Sequence, residues 1–195
     1  MIGKALGMWG LLAMASFGDV EARMVRIRGW HAAMDEGKAV SVRTLHQDYQ
    51  RGRYSVTATH REFDQGLSSV TLELMEGKHG GYTFHYYYKK GELFLLYVVS
   101  ESWHFSGGEG ETEKISGSRK EDRYYYEDGT CIRQMSRSLA REGPTELASE
   151  LAMMEQKSMK PDEFAKFYAD QAKALLRVRS HEDLHEFVDG DSIDF

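Results

Sequence analysis

The sequence predicts an α+β protein, in which a twisted antiparallel β-meander of about six to eight strands precedes two or three C-terminal helices packed on one face. Three observations predict this class. Residues 38–139 alternate apolar and polar side chains, are rich in tyrosine, valine, threonine and phenylalanine, and contain no proline. Glycine-marked turn signals recur within this stretch. After residue 143 the apolar residues recur at helical spacing instead, which places the helices at about 144–188.

The predicted turns share one form, an aromatic residue followed by two residues and a glycine. Four copies occur, at Tyr49–Gly52, Phe63–Gly66, Tyr88–Gly91 and Tyr126–Gly129. In the last copy Asp128 precedes the glycine, and both residue types tolerate the positive φ of a type I′ turn. Each unit is therefore expected to close an antiparallel hairpin.

These turns also predict cross-strand neighbours in the two tyrosine-rich hairpins. A two-residue turn pairs Tyr126 with Cys131, Tyr125 with Ile132, Tyr86 with Leu95 and Phe84 with Tyr97. The strand from Glu92 to Phe105 is apolar on both faces in its first half. This pattern predicts a central strand with something packed against each side of the sheet.

The two tyrosine hairpins are alike in sequence, since YYYKKGELFL begins at Tyr86 and YYYEDGTCIR begins at Tyr124. These Tyr-Tyr-Tyr-x-x-Gly units resemble the hairpin repeats of MORN-variant proteins and, more closely, uncharacterised secreted bacterial proteins with meandering sheets. The resemblance covers about residues 48–137. It implies a twisted antiparallel meander and carries no catalytic residues across.

The C-terminal region predicts helices that cover one face of the sheet. Pro144 suits a first helical position, and Leu147, Leu151 and Met154 follow at helical spacing. A second helix is expected from Pro161. Its predicted buried side chains are Phe164, Phe167, Tyr168, Leu175 and Leu176.

The first 22 residues have the order of a secretory signal peptide: Lys4, an apolar run over 5–17, and small residues up to Ala22. The run is too short to span a bilayer. We expect cleavage after Ala22, or near Ala15, and a periplasmic or secreted single domain over 23–195. The alternative is a buried N-terminal helix.

Composition limits the function classes. The 195 residues, 41% of them hydrophobic, suffice for one core. The net charge is −6, and no lysine- or arginine-rich block is long enough to follow a phosphate backbone, which argues against nucleic acid. Phosphate-binding and dinucleotide-binding motifs are absent from the sequence, so no cofactor is expected. The single cysteine, Cys131, is expected to be buried within a strand.

The stretch HEDLHE, beginning at His181, has the H-E-x-x-H spacing of zinc proteases. A zinc hydrolase would use His181 and His185 as ligands and Glu182 as base, but it needs a third ligand, for which the candidates are Asp189, Asp191 and Asp194. Ser180 followed by Asp183 is instead typical of a helix N-cap. We therefore favour a capped surface helix, with no metal.

The favoured functional hypothesis is a non-enzymatic exported domain that binds a protein, peptide or glycan through its tyrosine-rich sheet face. The predicted contact residues are Thr83, His85, Tyr87, Arg123 and Tyr125. The alternative interpretation is that these tyrosines pack beneath the helices. A third hypothesis is an inhibitor or immunity-type protein that acts through the polar, glycine-rich stretch 106–122, which is expected to be a loop.

Overall fold

The computed structural model describes residues 8–77, 79–106, 114–142 and 146–192. Its elements, in chain order, are α1 (Met8–Glu36), β1 (Ser41–Tyr49), β2 (Tyr54–Glu62), β3 (Leu67–Glu76), β4 (Gly80–Lys89), β5 (Glu92–Ser106), β6 (Lys114–Glu127), β7 (Thr130–Glu142), α2 (Leu147–Ala152), β8 (Lys157–Met159), α3 (Phe164–Leu175) and α4 (His181–Phe187). Short 3-10 turns connect β1 to β2 and β2 to β3, and a π-helical turn follows α4.

All eight strands form one sheet in the order β1-β2-β3-β4-β5-β6-β7-β8, and every neighbouring pair is antiparallel. Each strand therefore pairs with its neighbours in sequence, as expected where turns are short. The order is linear, so β1 and β8 are the two edges of an open sheet. The predicted α+β class and the meander are confirmed.

Helices cover both faces of the sheet, each with its own apolar cluster. On one face, here called the α3 face, α3 and α4 pack against apolar residues of β1 to β6. On the opposite face, here called the α1 face, the second half of α1 packs against a smaller cluster made of Leu67, Phe94, Leu95 and Tyr125. The predicted double-sided packing of β5 follows from this arrangement: Leu96 faces α3 whereas Leu95 faces α1.

The tyrosine hairpins turn as predicted but contain one extra residue. Lys90 and Asp128 adopt φ of 53° and 50°, each followed by a glycine with positive φ. Tyr126 does oppose Cys131, as predicted, but a β-bulge then shifts the register. The other three predicted pairs are wrong by one residue, since the observed pairs are Tyr125–Arg133, Tyr86–Leu96 and Phe84–Val98.

The bulge has a packing consequence. It lets two consecutive residues, Phe94 and Leu95, both pack against α1, although strand residues normally alternate between faces. Both hairpins bulge at the same place relative to the turn. The predicted pairs were counted outward from the two-residue turn, one residue against one, so they did not include the inserted residue.

Helix α1 runs without a break across Ala22, the predicted cleavage site. On the N-terminal side of that site, Val20 packs against the apolar cluster on the α1 face, and Glu21 forms an ion pair with Arg133 at 2.6 Å. On its C-terminal side, Met24 and Ile27 are buried. Removal of the signal peptide stays a prediction, and Met24, Ile27, Trp30 and Met34, which follow Ala22, lie in the same apolar cluster as Val20.

The stretch predicted as a loop over 106–122 is shorter than expected. Strand β6 already begins at Lys114, and it pairs with β5 from Lys114 to Tyr125 and with β7 from Ser116 to Glu127. Residues 107–113, which include Glu109, Glu111 and Glu113, lie outside the described residues. The loop prediction failed for 114–122 because those residues are polar on both faces, which hides the strand alternation.

The prediction for α3 is right in part: Leu175 is buried as predicted, and Tyr168 and Leu176 are partly buried, but the two phenylalanines are not. Phe164 and Phe167 are 52% and 42% exposed, and the buried stripe is Ala165, Ala169, Gln171, Ala172 and Leu175. Small alanines face the sheet because the large tyrosines of β4 and β6 fill the space beneath the helix, and their hydroxyls donate to it. Tyr88 donates to the Ala172 carbonyl at 3.0 Å and Tyr126 to the Ala165 carbonyl at 2.8 Å.

This packing predicts unequal costs for two substitutions in α3. Leu175→Ala is expected to lower the free energy of unfolding by about 2–4 kcal/mol, because Leu175 is fully buried and its loss leaves a cavity. Phe164→Ala is expected to cost less than about 1 kcal/mol, since half of its side chain already contacts solvent. Urea unfolding of both variants measures the difference. Equal costs would contradict this packing.

Candidate functional site

A row of polar and aromatic side chains crosses the α1 face between α1 and α2, which contacts the same face where its Ala152 carbonyl accepts a hydrogen bond from Arg137 of β7. It consists of Thr71, His85, Tyr97 and Arg123, which stand directly opposite one another on β3, β4, β5 and β6. We call these four residues the polar row. All four are half-buried, so part of each side chain remains accessible. Neighbouring strands lie about 4.8 Å apart, so the row spans about 14 Å.

Ring and guanidinium contacts order the polar row. The His85 and Tyr97 rings are nearly parallel, with centroids 5.6 Å apart, and the Arg123 guanidinium lies 5.0 Å from the Tyr97 ring centroid. Thr71 Oγ1 lies 3.3 Å from His85 Nδ1, and Arg61 Nη1 donates to the same hydroxyl at 3.4 Å. The rings are thus held in one orientation before any ligand arrives.

A buried carboxylate lies beside the polar row, on the same face of the sheet. Glu121 is 3% exposed and receives two hydrogen bonds from Arg137, at 2.8 and 2.6 Å, to a single oxygen. Arg119 donates to its other oxygen at 3.1 Å, and Tyr97 also donates to the carboxylate. Glu121 therefore fixes the hydroxyl end of the ring at the centre of the polar row.

The charge states at the site follow from these contacts. Burial acts to raise the pKa of Glu121, but hydrogen bonds from Arg137, Tyr97 and Arg119 outweigh it and hold the pKa below its usual value. Burial lowers the pKa of His85, and the positive charges of Arg61 and His31 lower it further. The site thus combines an ionised Glu121 with a neutral His85 at neutral pH.

The structure places the five predicted contact residues on one face but in different surroundings. Thr83, His85 and Tyr87 follow one another along β4, and Arg123 and Tyr125 lie on β6. Tyr125 is 5% exposed and belongs to the cluster beneath α1, whereas the alternative interpretation placed it beneath the C-terminal helices. Tyr87 is half-buried, with its ring 4.6 Å from His31 of α1. Only the part of the predicted surface beyond α1 is therefore open.

Four residues of the site were missed from the sequence, namely Thr71, Tyr97, Arg119 and Glu121. Tyr97 was predicted to oppose Phe84, which would have placed it on the α3 face, and the bulge instead moves it opposite His85. Glu121 and Arg119 were missed because they fell in the predicted loop. The alternation Arg119-x-Glu121-x-Arg123 has the period of a strand and was the signal that could have located them.

Two clefts occur elsewhere in the described residues. The first, of about 220 Å³, lies between α1 and the two tyrosine-hairpin turns, and its lining includes Trp30, Lys90 and Phe94. The second, of about 320 Å³, lies at the far ends of β5, β6 and β7, near His104 and Ser116. Neither contains a residue of the polar row, which is an open surface.

The H-E-x-x-H stretch forms α4. The predicted N-cap is confirmed: Ser180 accepts a hydrogen bond from the Asp183 amide at 3.1 Å, and Asp183 accepts one from the Ser180 amide at 2.9 Å. His185 pairs with Asp189 at 3.2 Å. In the part of the chain that is described, no group of three metal-ligating side chains converges. The candidate Asp194 lies outside the described residues, and so does the side chain of Asp191.

Cys131 lies on β7 and is half-buried, so its expected burial is only partial. Burial raises the pKa of its thiol to about 11. A thiol in this state is mostly protonated at neutral pH and is a poor nucleophile. Cys131 therefore acts as a packing residue at the margin of the α3 cluster.

The fold and the polar row together define an α+β protein built on an open antiparallel meander, with a preorganised polar surface between two helices. Comparisons with protein-family models, with curated proteins and with solved structures found no match. The resemblance to tyrosine-marked hairpin repeats therefore stays a prediction. None of the helices in the described ranges has the length and hydropathy needed to cross a membrane.

Proposed function

We propose that this protein is an exported, non-enzymatic binding module that holds an extended ligand, a protein segment, peptide or glycan, against the polar row. The observation that carries the proposal is the row itself: half-buried rings and a guanidinium aligned across four strands and fixed by Glu121. Its length of about 14 Å corresponds to about four residues of extended chain. Aromatic side chains in such a row supply contact area at low entropic cost.

The electrostatics favour a ligand with acidic or strongly polar groups. In the described ranges, neither Arg61 nor Arg123 forms an ion pair with a carboxylate, although Arg119 and Arg137 both do. Arg123 instead donates to Gln156 at 3.2 Å and lies over Tyr97. Its guanidinium thus keeps donors for a carboxylate or for sugar hydroxyls.

The open shape of the site supports a polymeric ligand over a small molecule. Small-molecule sites are usually concave and enclose most of the ligand. The polar row is instead a surface of ordered side chains, flanked by α1 on one side and by α2 on the other. A chain lying between the two helices would contact all four strands at once.

Binding is expected to depend on the polar row and not on exposed aromatic side chains elsewhere on the protein. Tyr97→Ala and Arg123→Ala are each expected to weaken binding at least tenfold, because centrally placed aromatic and arginine contacts commonly contribute more than 1.4 kcal/mol. The measurement is titration of ligands selected on defined peptide and glycan arrays, using the full chain.

A matched control is Tyr82→Ala, which removes a 53% exposed tyrosine from the opposite face of β4. This variant should bind as well as wild type. Circular dichroism should show that all three variants are folded. If Tyr97→Ala and Arg123→Ala retain full binding while Tyr82→Ala loses it, the ligand contacts the α3 face and the proposal is wrong.

A further inference from the structure

The two edges of the sheet differ in how they are protected. Strand β8 has three residues, and a proline follows it at position 161 with Lys160 between them. Short edge strands, lysine and proline are the usual means by which proteins prevent edge-to-edge pairing. Edge strand β1 has none of these features. It has nine residues, contains neither lysine nor proline, and pairs with β2 in an unbroken register.

Two apolar side chains at the start of β1 are also exposed to solvent. Val42 is 59% exposed, and Val40, just before the strand, is 65% exposed. Within the described ranges the sheet order ends at β1, so no strand pairs with its outer edge. A long, regular, partly apolar edge of this kind is a template for addition of another strand.

We propose that β1 pairs with β1 of a second copy of this chain, in antiparallel orientation, to form a continuous sixteen-stranded sheet in a symmetric dimer. A two-fold axis perpendicular to the sheet keeps the two α1 faces on the same side. In an antiparallel pair, two directly opposed side chains lie on the same face of the sheet. In the symmetric dimer the two residue numbers of an opposed pair are therefore both odd or both even, so that they add up to an even number.

Among such registers, the side chains favour the one centred on Leu45. It places Leu45 opposite Leu45 of the second copy, Thr44 opposite His46, and Arg43 opposite Gln47. The neighbouring register centred on His46 would instead place two imidazoles opposite each other. The register centred on Thr44 would place Arg43 opposite Leu45.

Two contacts within the subunit support this register. His46 already bonds a threonine directly opposite it, with Nδ1 2.9 Å from Thr57 Oγ1, so the Thr44–His46 pair repeats an arrangement that β1 makes with β2. Arg43 Nε is buried and has no acceptor within the described structure. Gln47 of the second copy would bring an amide oxygen to the same face.

The first test is the oligomeric state of the full chain by sedimentation velocity across a dilution series. Wild type is expected to be dimeric. The double substitution Thr44→Lys with His46→Lys is expected to give monomers with an unchanged circular dichroism spectrum, because both symmetric pairs then oppose two ammonium groups. The control Met75→Lys adds a charge at a 42% exposed position of interior strand β3 and should remain dimeric.

The second test establishes the register by disulfide trapping in a Cys131→Ser background. The double variant Thr44→Cys with His46→Cys should cross-link rapidly under mild oxidation, because directly opposed residues have disulfide-compatible spacing. Each single variant should cross-link slowly. Rapid cross-linking of Thr44→Cys alone would overturn this register, and monomeric wild type or a dimer that survives both lysines would overturn pairing through β1.

Discussion

Replacing Glu121 with glutamine is expected to lower the free energy of unfolding by about 3 kcal/mol. The substitution keeps the size of the side chain but removes the charge that Arg119 and Arg137 share, and breaking a buried ion-paired network from one side commonly costs about 3–5 kcal/mol. The lower end applies here because Arg119 also pairs with Glu101, and Arg137 also donates to the Ala152 carbonyl at 3.0 Å. Urea unfolding at pH 7 gives the difference directly.

The matched control is Glu101→Gln. Glu101 pairs with the same Arg119 but its side chain is 36% exposed, so its loss should cost less than about 1 kcal/mol. Equal destabilisation by the two glutamines would show that Glu121 contributes no more than a surface carboxylate. Because Tyr97 donates to Glu121, we also expect Glu121→Gln to weaken ligand binding even where the variant is fully folded.

The second large effect is a loss of stability at acidic pH that originates at His60. Burial, which is the largest cause, and the positive charges of Arg43 and Arg179 together lower the pKa of His60 to about 4. The unfolded chain takes up a proton near pH 6.5, whereas the folded protein does so only near pH 4. Stability is therefore complete above pH 6.5 and declines as the pH falls, by about 3 kcal/mol at pH 4.

The position of His60 explains why protonation is costly. The residue lies on β2 on the α3 face, is 7% exposed, and its Nε2 has no hydrogen-bond partner within the described structure. Arg43 approaches from β1, where it also donates to the Val178 carbonyl at 3.2 Å. Protonation of His60 would place a third positive charge beside those of Arg43 and Arg179, and its Nε2 would have no hydrogen-bond acceptor.

Unfolding of wild type and His60→Gln between pH 7 and pH 4 separates this contribution from that of the carboxylates. The variant is expected to lose about 3 kcal/mol less than wild type over this range, because glutamine does not titrate. The control His104→Gln removes an exposed histidine of β5, away from β1, and should follow the wild-type curve. A His60→Gln curve parallel to wild type would contradict the assignment.

The functional hypotheses now differ in structural support. The binding hypothesis gains a preorganised surface in the polar row, although Tyr125 is excluded from it. The inhibitor hypothesis relied on 106–122, and more than half of that stretch is strand β6. The zinc hypothesis retains His181 and His185 on α4 without a third ligand among the described side chains.

The α+β class, the meander order of the strands and the positions of four turns could all be predicted from the sequence. These are local properties: alternation over a strand, the positive-φ tolerance of Gly91 and of Asp128-Gly129, and the cap formed by Ser180 with Asp183. Such features depend on residues a few positions apart, so each can be recognised without knowledge of the rest of the chain.

Tertiary structure alone decided which side chains are buried and which form a site. The bulges at Phe94 and Ile132 let α1 pack on the sheet, and a turn rule cannot anticipate an inserted residue. Alanines of α3 face inward because distant tyrosines fill that space. Glu121 and its arginines become a network only when β6 lies between β5 and β7, since contacts between strands depend on register, which local sequence does not specify.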